Sequence, residues 1–494
     1  MVTNKVKKII PIVLSIFFLI WTSINVIYRD LDIDLFQHFA NAHMLKEGAV
    51  PYRDYNVLTP PLLQLIAAPF LLIYDDVLTL KVLNIIAGCV LAFVTYKTYN
   101  QLNDTHKTAN LILALALSSV IASQTLWGYN LTNVIFNAIA IYFLLKMVSA
   151  REVAPKYVVT LALDCALSLL TKQSTGLTLT AGVGLSLIYL VVKYKEPLRL
   201  VISKVIIFFS VYAFILTVIC SWLIFNSAFD DFIDQTIFGV STFDKSGALK
   251  SIIAILAAIT VIALFYFILF RKKAPEQSSV VCIVALSSLS SLYPILNLWH
   301  TTNLWYMGTL MVLIFFNIIP SEEKSYATYI LSLITGVILI FNGVYFSRII
   351  QFRYFEEFYT DIPYMNGVYY YSNLKNTIQN VNKYINEHPE NEYRIISSYA
   401  VMFDLPREDT FIKYYDMILK GNMGTVDPYE MVVNDSDKYY FIICDDRDGY
   451  AQMDQRIYEY IIDSGKFELV DTLKDDMYSR PYEVYLLKEN PNEN

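Results

Sequence analysis

Charged side chains are scarce in this chain: Asp, Glu, Lys and Arg make up 17% of its 494 residues, against 55% hydrophobic. A soluble domain carries about 25% charge, so a water-soluble globular protein is excluded and the chain belongs in a bilayer. Cysteine is nearly absent as a staple. Cys89, Cys165, Cys220 and Cys282 lie in apolar runs and only Cys444 in the polar half, so no disulfide can form within that half. The sequence has no Walker-type phosphate loop, no nucleotide-binding fingerprint and no His/Cys spacing of a zinc site, which excludes ATP-driven transport. Basic residues are scattered through loops rather than gathered on one surface, which excludes nucleic acid as a partner. A cleavage site is missing too. The first apolar run, preceded by Lys5, Lys7 and Lys8, ends in Asn25-Val-Ile-Tyr28 rather than small residues, and so reads as a retained helix and not a signal peptide.

Long apolar runs are abundant. After the first, further runs fall near 57–74, 78–97, 108–124, 130–149, 157–172, 175–193, 200–225, 249–270, 279–297, 302–319 and 326–346. If 57–74 does not cross, the inner segments hold 16 basic residues and the outer loops only Arg29, Lys46, Arg53, Lys81, Lys172, Lys245 and Lys250. If it crosses, every later loop reverses, against the positive-inside bias. The expectation is therefore a polytopic α-helical membrane protein with about 11 crossings plus a re-entrant or juxtamembrane segment begun by Thr59-Pro60-Pro61. Its N-terminus is cytoplasmic. The residues from 351 onward hold 14 Lys+Arg against 27 Asp+Glu and form a separate extracellular α/β domain, 351–494, beside a membrane domain, 1–350. Helix spacing runs through Asn373–His388 and Met453–Ile462, and strand-like runs are Tyr393–Ser397, Lys438–Cys444, Phe467–Thr472 and Glu483–Leu487.

One stretch stands out. Directly after the first apolar helix come Arg29-Asp30-Leu-Asp32-Ile-Asp34, then an amphipathic segment with Phe36, His38, Phe39, Ala40, Ala42 and His43, expected to lie on the membrane surface and to end at Gly48. Pro51-Tyr52-Arg53-Asp54 and Pro60-Pro61-Leu62 follow. Carboxylates at a membrane edge are costly unless used. This ordered run resembles the first external loop, 29–56, of GT-C fold glycosyltransferases, multi-spanning enzymes related to the protein mannosyltransferase and aminoarabinose transferase superfamily that take a sugar from a polyprenyl-phosphate carrier. The resemblance implies that the first acidic residue after helix one is the base that accepts the acceptor hydroxyl proton. The family's usual Asp-Glu pair stands here as Asp32-Ile33-Asp34, so the base is either Asp32 or Asp34. Arg29, His38, Tyr52, Arg53 and Asp54 are candidates for substrate binding in the same loop.

Positive charge must also meet the departing phosphate. Lys172, followed by Gln173, puts a lysine on the sparsely basic outer face, where it either holds a carrier phosphate as a point charge or snorkels from a helix end. His300, with Tyr306 in Trp299-His300-Thr-Thr-Asn303-Leu-Trp305-Tyr306, contacts a substrate phosphate or belongs to an aromatic belt. The loop 226–248, with Asp230, Asp231, Asp234 and Asp244, either gates a cavity or is simply solvated. A monophosphate leaving group needs no metal, so no cofactor is expected. The expected activity is inverting transfer of a single sugar from a polyprenyl-phosphate-linked donor to an extracellular acceptor, a wall polymer, glycolipid or protein, within the cell membrane and its lipids. Two alternatives stand: a lipid-linked glycan transporter or export component, and an oligosaccharide ligase or polymerase.

Overall fold

The computed structural model describes residues 4–29, 33–102, 104, 107–239, 356–358, 360–366, 369–396, 424–444, 454–473 and 482–488. In chain order the helices are α1 (Asn4–Ile27), α2 (Ile33–Lys46), α3 (Leu62–Leu71), α4 (Val77–Leu102), α5 (Lys107–Gln124), α6 (Tyr129–Ala150), α7 (Pro155–Thr171), α8 (Gln173–Lys193), α9 (Leu198–Phe225) and α10 (Phe229–Ile233), the last running into a π-turn at Asp234–Gly239. Strands β1 (Glu356–Phe358) and β2 (Tyr369–Tyr371) precede α11 (Ser372–Glu387), β3 (Tyr393–Ile396), α12 (Pro428–Asp435), β4 (Tyr440–Cys444), α13 (Gln455–Tyr458), β5 (Phe467–Leu473) and β6 (Tyr482–Leu487). The expected spans from 249 to 346, and the domain boundary at 350, lie outside the described residues.

The described parts form two compact units, one built from residues up to Arg29 and Lys81–Cys220, the other from the described residues of Asp30–Leu80, Ser221–Phe243 and Phe352–Asn494. The first is a helical bundle. Among the described helices, α4, α6, α8 and α9, with 26, 22, 21 and 28 residues, are long and apolar enough to cross a membrane; at 1.5 Å per residue each exceeds about 30 Å of hydrocarbon. This is a polytopic membrane protein. α6 is mostly buried, packed on α7 and α8 through Leu144, Leu161, Cys165 and Leu179, whereas α9 turns Ile206, Phe209 and Phe214 outward. Gly88 lets α4 approach its neighbours closely: an added Cβ would stand 3.0 Å from Ala122 Cβ on α5 and 3.9 Å from Thr22 Cγ2 on α1. The Thr22 hydroxyl donates to Ser119 Oγ at 2.9 Å and the Asn84 amide to the Ala122 carbonyl at 2.7 Å.

In the second unit α2 departs from the one-sided surface helix expected of its spacing. Leu35, Phe36, Phe39, Ala40 and Ala42 are all buried, and so are His38 and Asn41, because α3 packs along it. Burying each of the large apolar side chains stabilises by about 1.5–3 kcal/mol. Gly48, with φ +95°, ends the helix in the left-handed region that glycine adopts at no steric cost. α3 has ten residues, a rise of about 15 Å, so it cannot cross as a helix. Its end leaves Leu72, Ile73 and Tyr74 exposed.

The C-terminal elements of this unit build a four-stranded sheet in the order β3-β4-β6-β5. β3 pairs parallel to β4, while β6 runs antiparallel to both β4 and β5. Ile395, Phe441, Ile442, Ile443 and Val484 are buried in it, and α11 buries Ile378, Val381 and Ile385 at helical spacing. Where one helix is expected over 453–462, the chain makes the short α13 and then a π-turn at Glu459–Asp463 that buries Tyr460 and Ile461.

Candidate active site

The end of α1 is held by two cations. Lys81, fully buried at 0% exposure, donates through Nζ to the carbonyls of Ile27 at 2.7 Å and Arg29 at 3.2 Å. The Arg29 guanidinium donates to the Ser123 carbonyl at the last turn of α5. Carbonyls at a helix C-terminus carry partial negative charge and lack intrahelical partners, so both are natural seats for a cation. The chain leaves this clamp directly into Asp30-Leu-Asp32. Asp30 and Asp32 lie outside the described residues, and Asp34 is the second residue of α2.

Lys172 sits between α7 and α8 in extended conformation, φ −154° and ψ 118°, and its ammonium lies 3.9 Å from the centre of the Tyr129 ring. A cation over an aromatic face is stabilised by the ring quadrupole. The turn is tight: the Lys172 amide donates to the Ser168 carbonyl at 3.1 Å and the Gly176 amide to the Lys172 carbonyl at 2.9 Å. Gln173 is the first residue of α8.

Tyr52, Arg53 and Asp54 come together in one turn of the second unit. Asp54 accepts from the Val50 amide at 2.7 Å and from Nε and Nη2 of the Arg53 guanidinium at 2.7 and 2.8 Å. The Arg53 bonds, aided by the Val50 amide, outweigh partial burial and lower the Asp54 pKa from the usual carboxylate value. Arg53 also donates to the Asn226 carbonyl at 2.9 Å. Tyr52 takes a left-handed φ of 72° with its ring buried and its hydroxyl donating to the Thr59 carbonyl at 2.9 Å. Burial holds its phenol well above the usual pKa. Gln235 closes the turn from both ends: its Oε1 accepts from the Val57 amide at 2.9 Å and its Nε2 donates to the Tyr52 carbonyl at 2.8 Å. Beside it Asp234 accepts from the Thr425 amide at 2.9 Å. The described part of the loop 226–248, a loop read from sequence as a gate or a solvated strip, thus also serves as a clasp on the turn. His38 is buried on α2, and His300 and Tyr306 lie outside the described residues.

Lys81 and Gln235 escaped the sequence reading. Lys81 counted there as one more outer-loop charge, although a lysine inside the apolar run Val77-Leu-Thr-Leu-Lys81-Val-Leu was a visible signal. Replacing it with Met leaves two carbonyls at the end of α1 without this donor, at about 1–3 kcal/mol. Lys81→Met is expected to lower the thermal unfolding midpoint of the purified protein; an unchanged midpoint would show that the clamp is not needed.

No known family model matches the sequence, and no curated protein is detectably similar to it. Among solved structures the chain is similar to ArnT from Cupriavidus metallidurans bound to undecaprenyl phosphate, at TM-score 0.48 and 11% identity over 98% of both chains. It is also similar to the Archaeoglobus fulgidus oligosaccharyltransferase in complex with Zn and sulfate, at TM-score 0.45 and 12% identity over 87% of this chain and 68% of that one. Likenesses this distant carry no weight in assigning an activity.

Proposed function

We propose that this protein is an inverting GT-C type glycosyltransferase that moves a single sugar from a polyprenyl-phosphate carrier to an extracellular glycan, glycolipid or protein. The observation that carries the reading is the cationic clamp of Lys81 and Arg29 on the end of α1, immediately before the run Asp30-x-Asp32-x-Asp34. Fixed positive charge beside carboxylates is what such a transfer needs. The carboxylate accepts the hydroxyl proton, and fixed positive charge offsets the charge growing on the departing phosphate. Asp32 or Asp34 is the base. Lys172, Gln173, His300 and Tyr306 are the further groups that meet the carrier phosphate or the sugar, and no metal enters the transfer step. The base-activated hydroxyl displaces the phosphate directly, which inverts the anomeric centre.

About 11 crossings, a cytoplasmic N-terminus and an extracellular 351–494 domain complete this reading; the shortness of α3 supports a non-crossing segment at 57–74. One observation favours the alternative of a lipid-linked glycan transporter. Asp164, in the middle of α7, is 4% exposed and its Oδ2 has no hydrogen-bond partner among the described residues, and an ionisable group at such depth suits a transport path. The two readings separate in vitro. The purified protein in nanodiscs, given polyprenyl-phosphate-linked hexoses and pentoses together with surface glycan fractions, is expected to form a new glycosidic product by mass spectrometry. If no donor yields product while vesicles containing the protein move the lipid-linked glycan across the bilayer, the transferase reading fails.

A further inference from the structure

Four side chains that the transfer step does not use converge at the end of α2. The helical turn continues through Glu47, whose amide donates to the His43 carbonyl at 2.9 Å, so His43 and Glu47 stand one turn apart on one face. Asp75 arrives from the turn between α3 and α4. Its Oδ1 lies 3.0 Å from His43 Nδ1, and its Oδ2 accepts from Lys46 Nζ at 2.6 Å. The same ammonium reaches Glu47 Oε1 at 2.7 Å. Donor atoms of His43, Glu47 and Asp75 all lie within 4.8 Å of one another.

The backbone holds this arrangement without help from the cluster. Asp76 accepts from the amides of Leu78 and Asn366, each at 2.8 Å, and the Val77 amide donates to the Tyr364 carbonyl at 2.9 Å. The Tyr364 ring then lies 4.7 Å from the His43 ring and shields it. Two carboxylates and an imidazole nitrogen thus converge at a partly screened spot where a lysine ammonium balances the charge.

We propose that His43, Glu47 and Asp75 form a binding site for a divalent transition-metal ion, best suited to zinc, and that Lys46 is its built-in competitor. One nitrogen and two carboxylate oxygens suit zinc, with water in the fourth position. Magnesium and calcium prefer all-oxygen shells and are disfavoured by the imidazole. Tetrahedral bonds of about 2.0–2.2 Å need donors roughly 3.4 Å apart. The widest pair must therefore close by up to about 1.4 Å, which side-chain torsions of Glu47 supply. Lys46 is the displaceable partner: long and unbranched, its ammonium sits between Asp75 and Glu47 and leaves as the ion enters. Its bonds to Asp75 and to Glu47 show that the two carboxylates already share one cation. A bound ion would fasten the end of α2 to the turn before α4.

The test uses tag-free, full-length protein treated with chelator, titrated with zinc or magnesium and followed by calorimetry and thermal unfolding. Wild type is expected to bind one zinc and to unfold at higher temperature with it, and to ignore magnesium. His43→Ala and Asp75→Asn are expected to weaken zinc binding at least about tenfold, in keeping with loss of a ligand. Lys46→Met is expected to tighten it about tenfold or more, because no internal cation has to be displaced. A purely structural ion-pair cluster gives the opposite result: Lys46→Met loses stability and gains no affinity. The proposal is overturned if neither wild type nor Lys46→Met binds stoichiometric zinc, or if His43→Ala binds as well as wild type. Transfer activity is not the readout, so a failure here leaves the proposed function standing.

Discussion

Asparagine in place of Asp32 or Asp34 is expected to cut glycosyl transfer by about 10²–10⁴-fold, the usual contribution of a general base, in at least one of the two variants. The amide keeps the shape of the carboxylate but cannot accept the hydroxyl proton as the bond to the anomeric carbon forms. Folding is expected to survive. Asp34 opens the first turn of α2, a region where asparagine and aspartate are both well tolerated. Asp32 stands just before that helix in sequence. Turnover of the purified variants with a polyprenyl-phosphate-linked donor, beside their unfolding midpoints, is the decisive pair of measurements. If both variants fold and both turn over at the wild-type rate, neither aspartate is the base.

The second large effect belongs to Gly176. A Cβ added there would stand 2.2 Å from Leu169 Cα and 2.3 Å from its backbone nitrogen, atoms that no rotamer change can move aside. Gly176→Ala must therefore pry the first turn of α8 from the last turns of α7, at about 3 kcal/mol or more, beyond the ordinary range of overpacking. The turn it opens carries Lys172, so the ammonium's seat on the Tyr129 ring is lost as well. A built-in control sits eight residues further along the same helix. At Gly184 an added Cβ would meet nothing within 4 Å, and alanine there is expected to leave the unfolding midpoint unchanged or slightly raised. Equal midpoints for the two variants would show that the α7–α8 turn is slack.

The helices were legible because hydrophobicity and length are local properties: the runs read as 78–97, 130–149 and 175–193 became α4, α6 and α8 within a few residues. The four strands of the C-terminal sheet were legible for the same reason. What the sequence hid is whatever depends on a partner brought from far away. α2 reads as amphipathic because its apolar residues repeat at helical spacing, yet burial on its other sides depends on α3. Asp75 and His43 are 32 positions apart and meet only once α2 and α3 have packed. Tyr52, Arg53 and Asp54 read as ligand-binding groups, and each has a partner within or beside its own turn. Lys81 shows the limit most clearly, because a count of charges by loop cannot distinguish a solvated ammonium from one capping a helix.

The grip of Gln235 on the turn at Tyr52 and Val57 sets a schedule for synthesis. Its partners precede it by 183 and 178 positions, so the turn emerges from the ribosome long before the residue that fastens it. At roughly 5–20 residues per second, that left-handed Tyr52 spends roughly ten to forty seconds without its amide partner. Over that interval the segment has its own local fastenings, Arg53 on Asp54 and the Tyr52 hydroxyl on the Thr59 carbonyl, whose partners emerge within a few residues of it.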